Sequence, residues 1–291
     1  LPPDHVASVG PEVLTGGGAD VLSPETSEAF TFGLVWQPGF ADLSLSVDYF
    51  DILVEDEIDK IGGAQIVQGC YSSPFFPNEP LCDQFDRDAP DAPLPNAILQ
   101  IRDSFINVAK QQTRGLDIAA VFNQELGGGW GTLALDTQWT LSFEDTVALF
   151  DNTEEDLSGL AGHPDAVGNF NATLHKGEWS VSWGVNYIGE TDNTDRFRQR
   201  TGSTTVVDAT GTVRATKLKL DSVVYQSLSA SYMFENGLTA LVGVANMTDE
   251  KPPRMSNWRT SNEVDIVGQS AFYSQYDWLG RRFFVNLKFE F

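Results

Sequence analysis

The chain is poor in the residue types that carry most soluble chemistry. Of 291 residues, only two are cysteine, three are histidine and three are methionine. His5, His163 and His175 lie far apart, with His175 at a short turn, which argues against a metal cluster. No run approaches the roughly 20 consecutive apolar residues that a membrane-crossing helix needs. Bases are scarce as well: 18 lysines and arginines against 41 acids give a formal charge of −23. Binding phosphate backbones requires a basic surface, so this balance argues against nucleic acid as a partner. No G-x-S-x-G occurs, and no serine can be placed beside His163, so the expectation is a protein that is not an enzyme. An initiating Met and a signal peptide are also missing. LPPDHVASVG has neither a basic region nor an apolar core, and processing or truncation is expected to have removed the true start.

What the chain has in abundance is alternation with a period of two. Trp179, Val181, Trp183, Val185 and Tyr187 alternate with Ser180, Ser182, Gly184 and Asn186. Phe170, Ala172 and Leu174 alternate with Asn169, Asn171, Thr173 and His175, and Leu228, Ala230 and Tyr232 with Ser227, Ser229 and Ser231. The final nine residues, FFVNLKFEF, place Phe283, Val285, Leu287, Phe289 and Phe291 on one wholly apolar face. A soluble sheet covering a core shows the same pattern, so the connections must choose.

One set of connections is short and carries turn residues: QPGF at 37–40, QELGGGW at 124–130, HKGE at 175–178 and ENG at 235–237. The other set is long, near 53–97, 144–162, 190–221 and 247–280. Short and long alternate strictly if Ser104 to Asn123 is one strand. Short turns at one rim and long loops at the other are the pattern of a transmembrane β-barrel. A soluble sandwich has little reason to segregate its loops so completely. Strands are expected near 27–36, 41–52, 104–123, 130–143, 164–175, 178–188, 222–234, 238–246 and 281–291. That odd count leaves residues 1–26 in an extracellular loop. Bacterial single-chain barrels have even counts, so the chain is expected to be the C-terminal part of something larger.

The ordered set of motifs resembles a known family. Leu22-Ser23-Pro24-Glu25-Thr26-Ser27, then FGLVWQP and LSLSVDYFDI, Cys70 and Cys82 in an acidic loop, INVAKQQTRGLDI at 106–118, VGVANMTDEKPP at 242–253 and YDWLGRRFFVNLKFEF at 276–291 are similar to TonB-dependent outer-membrane receptors. The resemblance implies an all-β transmembrane antiparallel barrel of 22 strands enclosing an N-terminal plug, with this chain supplying about the last nine strands. The plug and the TonB-contacting segment have no counterpart here. Phe291 corresponds to the family's C-terminal aromatic, with Phe289 one alternation before it, the signal read by the barrel assembly machinery. The other implied partners are the TonB complex, the remaining plug and strands, outer-membrane lipid and lipopolysaccharide, and a solute.

The candidate site residues follow. Cys70 and Cys82 are the only cysteines, and an oxidising setting outside the inner membrane favours a loop-stapling disulfide over a metal site. The acid run FEDTVALFDNTEEDL at 143–157 is expected to be a solvated loop, with calcium bound between its carboxylates as the sharper alternative; no other cofactor is expected. Arg196, Arg198 and Arg200 would share one face of an extended segment, Phe197 opposite. There they would grip an anionic solute, pair with acid loops, or meet lipopolysaccharide phosphates. Arg254, Trp258 and Arg259 suit stacking on a sugar or a planar chelate. The expected function is energised uptake of a scarce, bulky solute of siderophore, cobalamin or saccharide class. A passive porin and a surface-binding barrel without transport are the alternatives.

Overall fold

The computed structural model describes residues 10–16, 22–148, 154–207, 210–256, 269–270 and 275–289. Its main sheet is a meander in which each strand pairs with the next in sequence. The strands are β1 (Thr26–Trp36), β2 (Asp42–Lys60), β3 (Phe105–Leu126), β4 (Gly131–Ala148), β5 (Ala166–Lys176), β6 (Trp179–Ile188), β7 (Val223–Met233), β8 (Leu238–Ala245) and β9 (Arg282–Phe289). A two-residue strand, Glu155–Asp156, pairs with β4. The sheet is open, with β1 and β9 as its edges.

Register carries the alternation from strand to strand. Leu174 lies opposite Leu133 and Val181, Val181 opposite Ala230, Ala230 opposite Val242, and Val242 opposite Val285. The adjacent rung reads Thr132, His175 and Ser180 across β4, β5 and β6. One face is therefore apolar from β4 to β9 and the other is rich in Ser, Thr, Asn and Gln. The apolar face is bare: Phe283 is 80% exposed and Val285 69%. In water that arrangement would be an aggregation surface; in hydrocarbon it is the outer wall of a barrel. No helix among the described residues is long and apolar enough to cross a membrane.

Aromatic pairs mark both margins of this face. Trp179 packs on Tyr232 (4.6 Å) and Tyr232 on Phe234 (4.7 Å) near the short turns. Trp139 packs on Tyr187 (5.4 Å) toward the long loops, while the Phe170–Trp183 pair (5.8 Å) lies midway along the strands. Trp179 to Tyr187 spans roughly 27 Å of strand at ~3.4 Å per residue, or about 20 Å of height at a typical barrel tilt. That suits a bacterial outer membrane, which is thinner than an average bilayer. Gly168 lies under Trp139, and a Cβ there would meet the indole. The β5–β6 turn needs Gly177, which sits at φ 57.

The chain divides into two compact units, Leu1–Glu28 with Leu53–Gln111 and Val147–Glu155, and Ala29–Ile52 with Gln112–Thr146 and Asp156–Phe291. The first has a conventional core of Ile61, Ile66, Cys70, Phe85 and Ile101. A helix over Gly63–Ser72 is held by the Cys70–Cys82 disulfide to a short 3-10 turn at Pro80–Gln84. Beside it lies a three-stranded sheet of Glu12–Leu14, Ile98–Arg102 and Phe85–Arg87. Arg102 grips Asp86 with both terminal nitrogens, at 2.5 and 3.0 Å.

Two expectations change here. β2 runs to Lys60 and β4 to Ala148, where loops were expected from 53 and 144. Residues 55–60, EDEIDK, have no apolar face because a strand wet on both sides does not need one, so the period-two signal fades while the ladder continues. A short strand, Glu12–Leu14, also stands within residues expected to be loop; it pairs in parallel with Ile98–Arg102.

Candidate functional site: a polar recess beneath the outer loops

The long connections of the second unit are tied down at their bases. Ser142 N–H donates to Asp165 O (2.8 Å), Gly189 N–H to Ala166 O (2.8 Å) and Met247 N–H to Gln226 O (2.7 Å). Asn246 clips the start of the last loop, donating to Glu250 O and accepting from Glu250 N–H, both at 2.8 Å. Asp249 accepts the N–H of Arg281 at 2.9 Å, joining the two ends of that loop. Asn246 and Asp249 have φ of 48 and 57, a left-handed conformation that Asn and Asp tolerate better than most residues. The N–H of Arg281 and the Lys251 ammonium hold the Asp249 carboxyl below the usual range. These residues belong to VGVANMTDEKPP and YDWLGRR, so the two motifs meet at one junction.

Above the strand ends the loops share a small core of Ala161, Ile188, Leu220, Val223, Tyr225, Met255 and Tyr276. Asn193 Oδ1 accepts from Ala161 N–H (2.9 Å), and Ser256 Oγ from Lys217 N–H (2.9 Å). The loops are thus packed on one another by apolar contacts and hydrogen bonds.

Beneath them, on the polar face, lies a recess of 740 Å³, within the usual range of ligand pockets, about 300–1,000 Å³. Register builds its floor. Gln138 of β4 is opposite Asn169 of β5, Asn169 is opposite Asn186 of β6, and Asn186 is opposite Tyr225 of β7. One rung therefore carries three side-chain amides in a row. None of the three makes a hydrogen bond to another described residue, whereas Asn171 on the next polar rung is tied to Asp136 at 2.9 Å. Gln275, from the last loop, adds a buried Nε2 with no partner.

The charged residues among the described lining are Asp277 and Arg282, paired with each other at 2.6 Å. Burial raises the Asp277 carboxyl, but the hydrogen bond from Arg282 and the N–H groups of Leu279 and Gly280 outweigh it and hold the pKa below the usual range. Tyr225 Oη accepts from Asp277 N–H at 3.1 Å, fixing this corner.

Most of the expected site residues lie elsewhere. Arg196, Arg198 and Arg200 are not on an extended segment: Thr194–Thr201 is a helix, ended by Gly202 in the left-handed conformation. Phe197 is fully buried and sets the helix orientation; Arg198, two positions from Arg196, falls on another face of the helix, so the one-faced extended arrangement expected of the three is replaced. Arg198 pairs with Asp195 at 2.7 Å. Arg254 sits exposed in a two-residue strand, and Trp258, Arg259 and Phe291 lie outside the described residues. Phe289 closes β9 opposite Leu238. The Cys70–Cys82 staple is formed. In the acid run, Glu144 pairs with Arg114 and Asp145 with His163 Nδ1 (2.6 Å), and Asp151 lies outside the described residues. Among the described residues no three His, Cys, Asp or Glu side chains converge as metal ligands.

The amide rung escaped sequence reading, although half of it was accessible. A tight turn at Gly177-Glu178 pairs Lys176 with Trp179, and counting back along both strands sets Asn169 opposite Asn186.

A family model described as TonB dependent receptor-like, beta-barrel, matches residues 9–247. Solved structures show the same fold. The ferric enterobactin receptor of Pseudomonas aeruginosa is 16% identical with a TM-score of 0.57, over 94% of this chain and 32% of that one. The siderophore receptor PirA of Acinetobacter baumannii is 14% identical with a TM-score of 0.52, over 93% and 32%. The Pseudomonas aeruginosa receptor FpvA, solved with heterologous pyoverdines, is 14% identical with a TM-score of 0.52, over 93% and 28%. The chain spans about a third of the length of these receptors. No curated protein sequence matches it. With the family model covering most of its residues and a wall apolar on one face and polar on the other, the chain belongs to the TonB-dependent receptor-like β-barrel family of the Gram-negative outer membrane.

Proposed function

We propose that this chain forms part of the wall of a 22-stranded, plug-filled receptor that imports a scarce, bulky solute with energy delivered through the TonB complex. The observation that carries this reading is the recess on the polar face, floored by unpaired amides and roofed by loops already packed together. A solute entering from outside meets an organised site, and preorganisation lowers the ordering cost of binding. The similar structures include receptors whose names specify ferric enterobactin and siderophores, which supports solute capture as the role of this wall.

The test is accumulation of solute by the host strain. Uptake should disappear on deletion of this receptor and equally on loss of TonB or collapse of the proton gradient. Uptake that survives loss of TonB but needs the receptor would replace this reading with a passive porin. Binding with no uptake at all would leave a surface-binding barrel.

A further inference from the structure

We propose that the recess recognises an uncharged, hydroxyl-rich solute of the saccharide class; this rests on the uptake reading above and narrows it.

The floor of the recess is the rung Gln138, Asn169 and Asn186, and Gln275 of the last loop is among its lining residues. Each amide offers donors and an acceptor and carries no charge. A sugar hydroxyl also donates and accepts, so a row of amides can satisfy a row of hydroxyls in either sense. Neighbouring rung positions are about 5 Å apart, so the three amides extend over roughly 10 Å of wall, the reach of a short oligosaccharide.

Charge points the same way. Among the described lining residues the one base is Arg282, and its Nη1 is engaged by Asp277 and Gly280 O, at 2.6 and 3.1 Å. An anionic ferric chelate would need a free cation at the floor, and none of the described lining residues supplies one. Amide donors on the floor that have no partner among the described residues are completed by ligand hydroxyls. Sites built on such donors reject analogues that lack the hydroxyl. The contrast is with Asn171, whose amide is engaged by Asp136, whereas the recess rung has no side-chain partner among the described residues.

The experiment uses the receptor extracted in detergent from its native outer membrane, applied to an array of neutral and acidic oligosaccharides and titrated separately with ferric enterobactin. Binding to one or more neutral glycans is expected, with weak or no binding of the ferric chelate. Asn169→Asp and Asn186→Ala should each weaken the neutral glycan at least tenfold, while Ser182→Ala, on the same face but outside the recess, leaves affinity unchanged. Normal heat-modifiable mobility of each variant guards against misassembly. Binding confined to charged ligands, an array with no neutral hit, or neutral binding indifferent to Asn169→Asp overturns the proposal. Energised uptake of a charged chelate without glycan binding would keep the uptake reading and remove the saccharide assignment. Glycan binding without energised uptake would do the reverse.

Discussion

The two units of this chain bury apolar side chains in opposite senses. In the first, Ile66 is 1% exposed and packs with Ile61, Phe85 and Ile101 around a disulfide, as in any small extracellular domain. In the wall, Phe283 is 80% exposed, and residues as large as Val285 and Leu287 touch no core. Hydrophobicity alone does not distinguish them. What differs is the medium that completes the packing: protein in one case, lipid in the other. A small core in water needs a covalent staple, whereas a wall in hydrocarbon is held because every unpaired backbone group would be costly there.

The contrast can be broken from either side. Ile66→Ala should cost the first unit about 4 kcal/mol, within the range for a fully buried truncation, and show as protease nicking within residues 61–102. Leu287→Ala, of similar size loss on the lipid face, should leave the assembled fraction almost unchanged. Val181→Arg on the apolar face should lower folding stability in lipid by ~3 kcal/mol, while Ser182→Arg, one residue along on the polar face, costs well under half of that; a denaturant titration in vesicles decides. Equal penalties would mean that the faces are misassigned. Cys70→Ser with Cys82→Ser should remove roughly 2–3 kcal/mol from the first unit and accelerate its proteolysis, with no loss of assembled barrel.

The smallest expected effect is electrostatic. Asp249 and Asp277 have lowered carboxyl pKa values, so the stability they add is present above the ordinary value of about 3.9 and is lost as pH falls through their folded values. Asp165 has the opposite sign. Burial, then the nearby charge of Asp156, raise it against the Gly159 N–H, so its contribution is present at low pH and lost as pH rises through its folded value. Hydrogen exchange corrected for intrinsic rates should therefore show residues 281–282 opening below pH 4, while protection at Ser142, whose N–H reaches Asp165 O, is greatest there. Parallel pH trends at both places would contradict these signs.

Much of the wall was legible because lipid on one side and polar surroundings on the other impose a strict period of two, and Trp179 to Tyr187 displays it without a break. Short turns were legible for a different reason: Gly177 and Gly237 adopt φ values that other residues resist. Where water lies on both sides the signal vanishes, so β2 was expected to end near Ile52 although its ladder continues to Lys60. The helix Thr194–Thr201 was misread as extended because its alternating arginines imitate a strand. Burial of Phe197 and the Gly202 cap decide it, and burial is not local information. The recess was hidden because Gln138 and Asn169 meet across a long connection, whose length says nothing about register.

The tied loop bases have one more consequence. Once Asn246, Asp249 and Arg281 hold the two ends of a connection together, the wall no longer registers how much chain runs between them. Lengthening a loop whose ends are already joined costs little, about 0.6 kcal/mol for each doubling. The connection between Asn246 and Arg281 is therefore free to change in length and content while the strands it joins stay where they are.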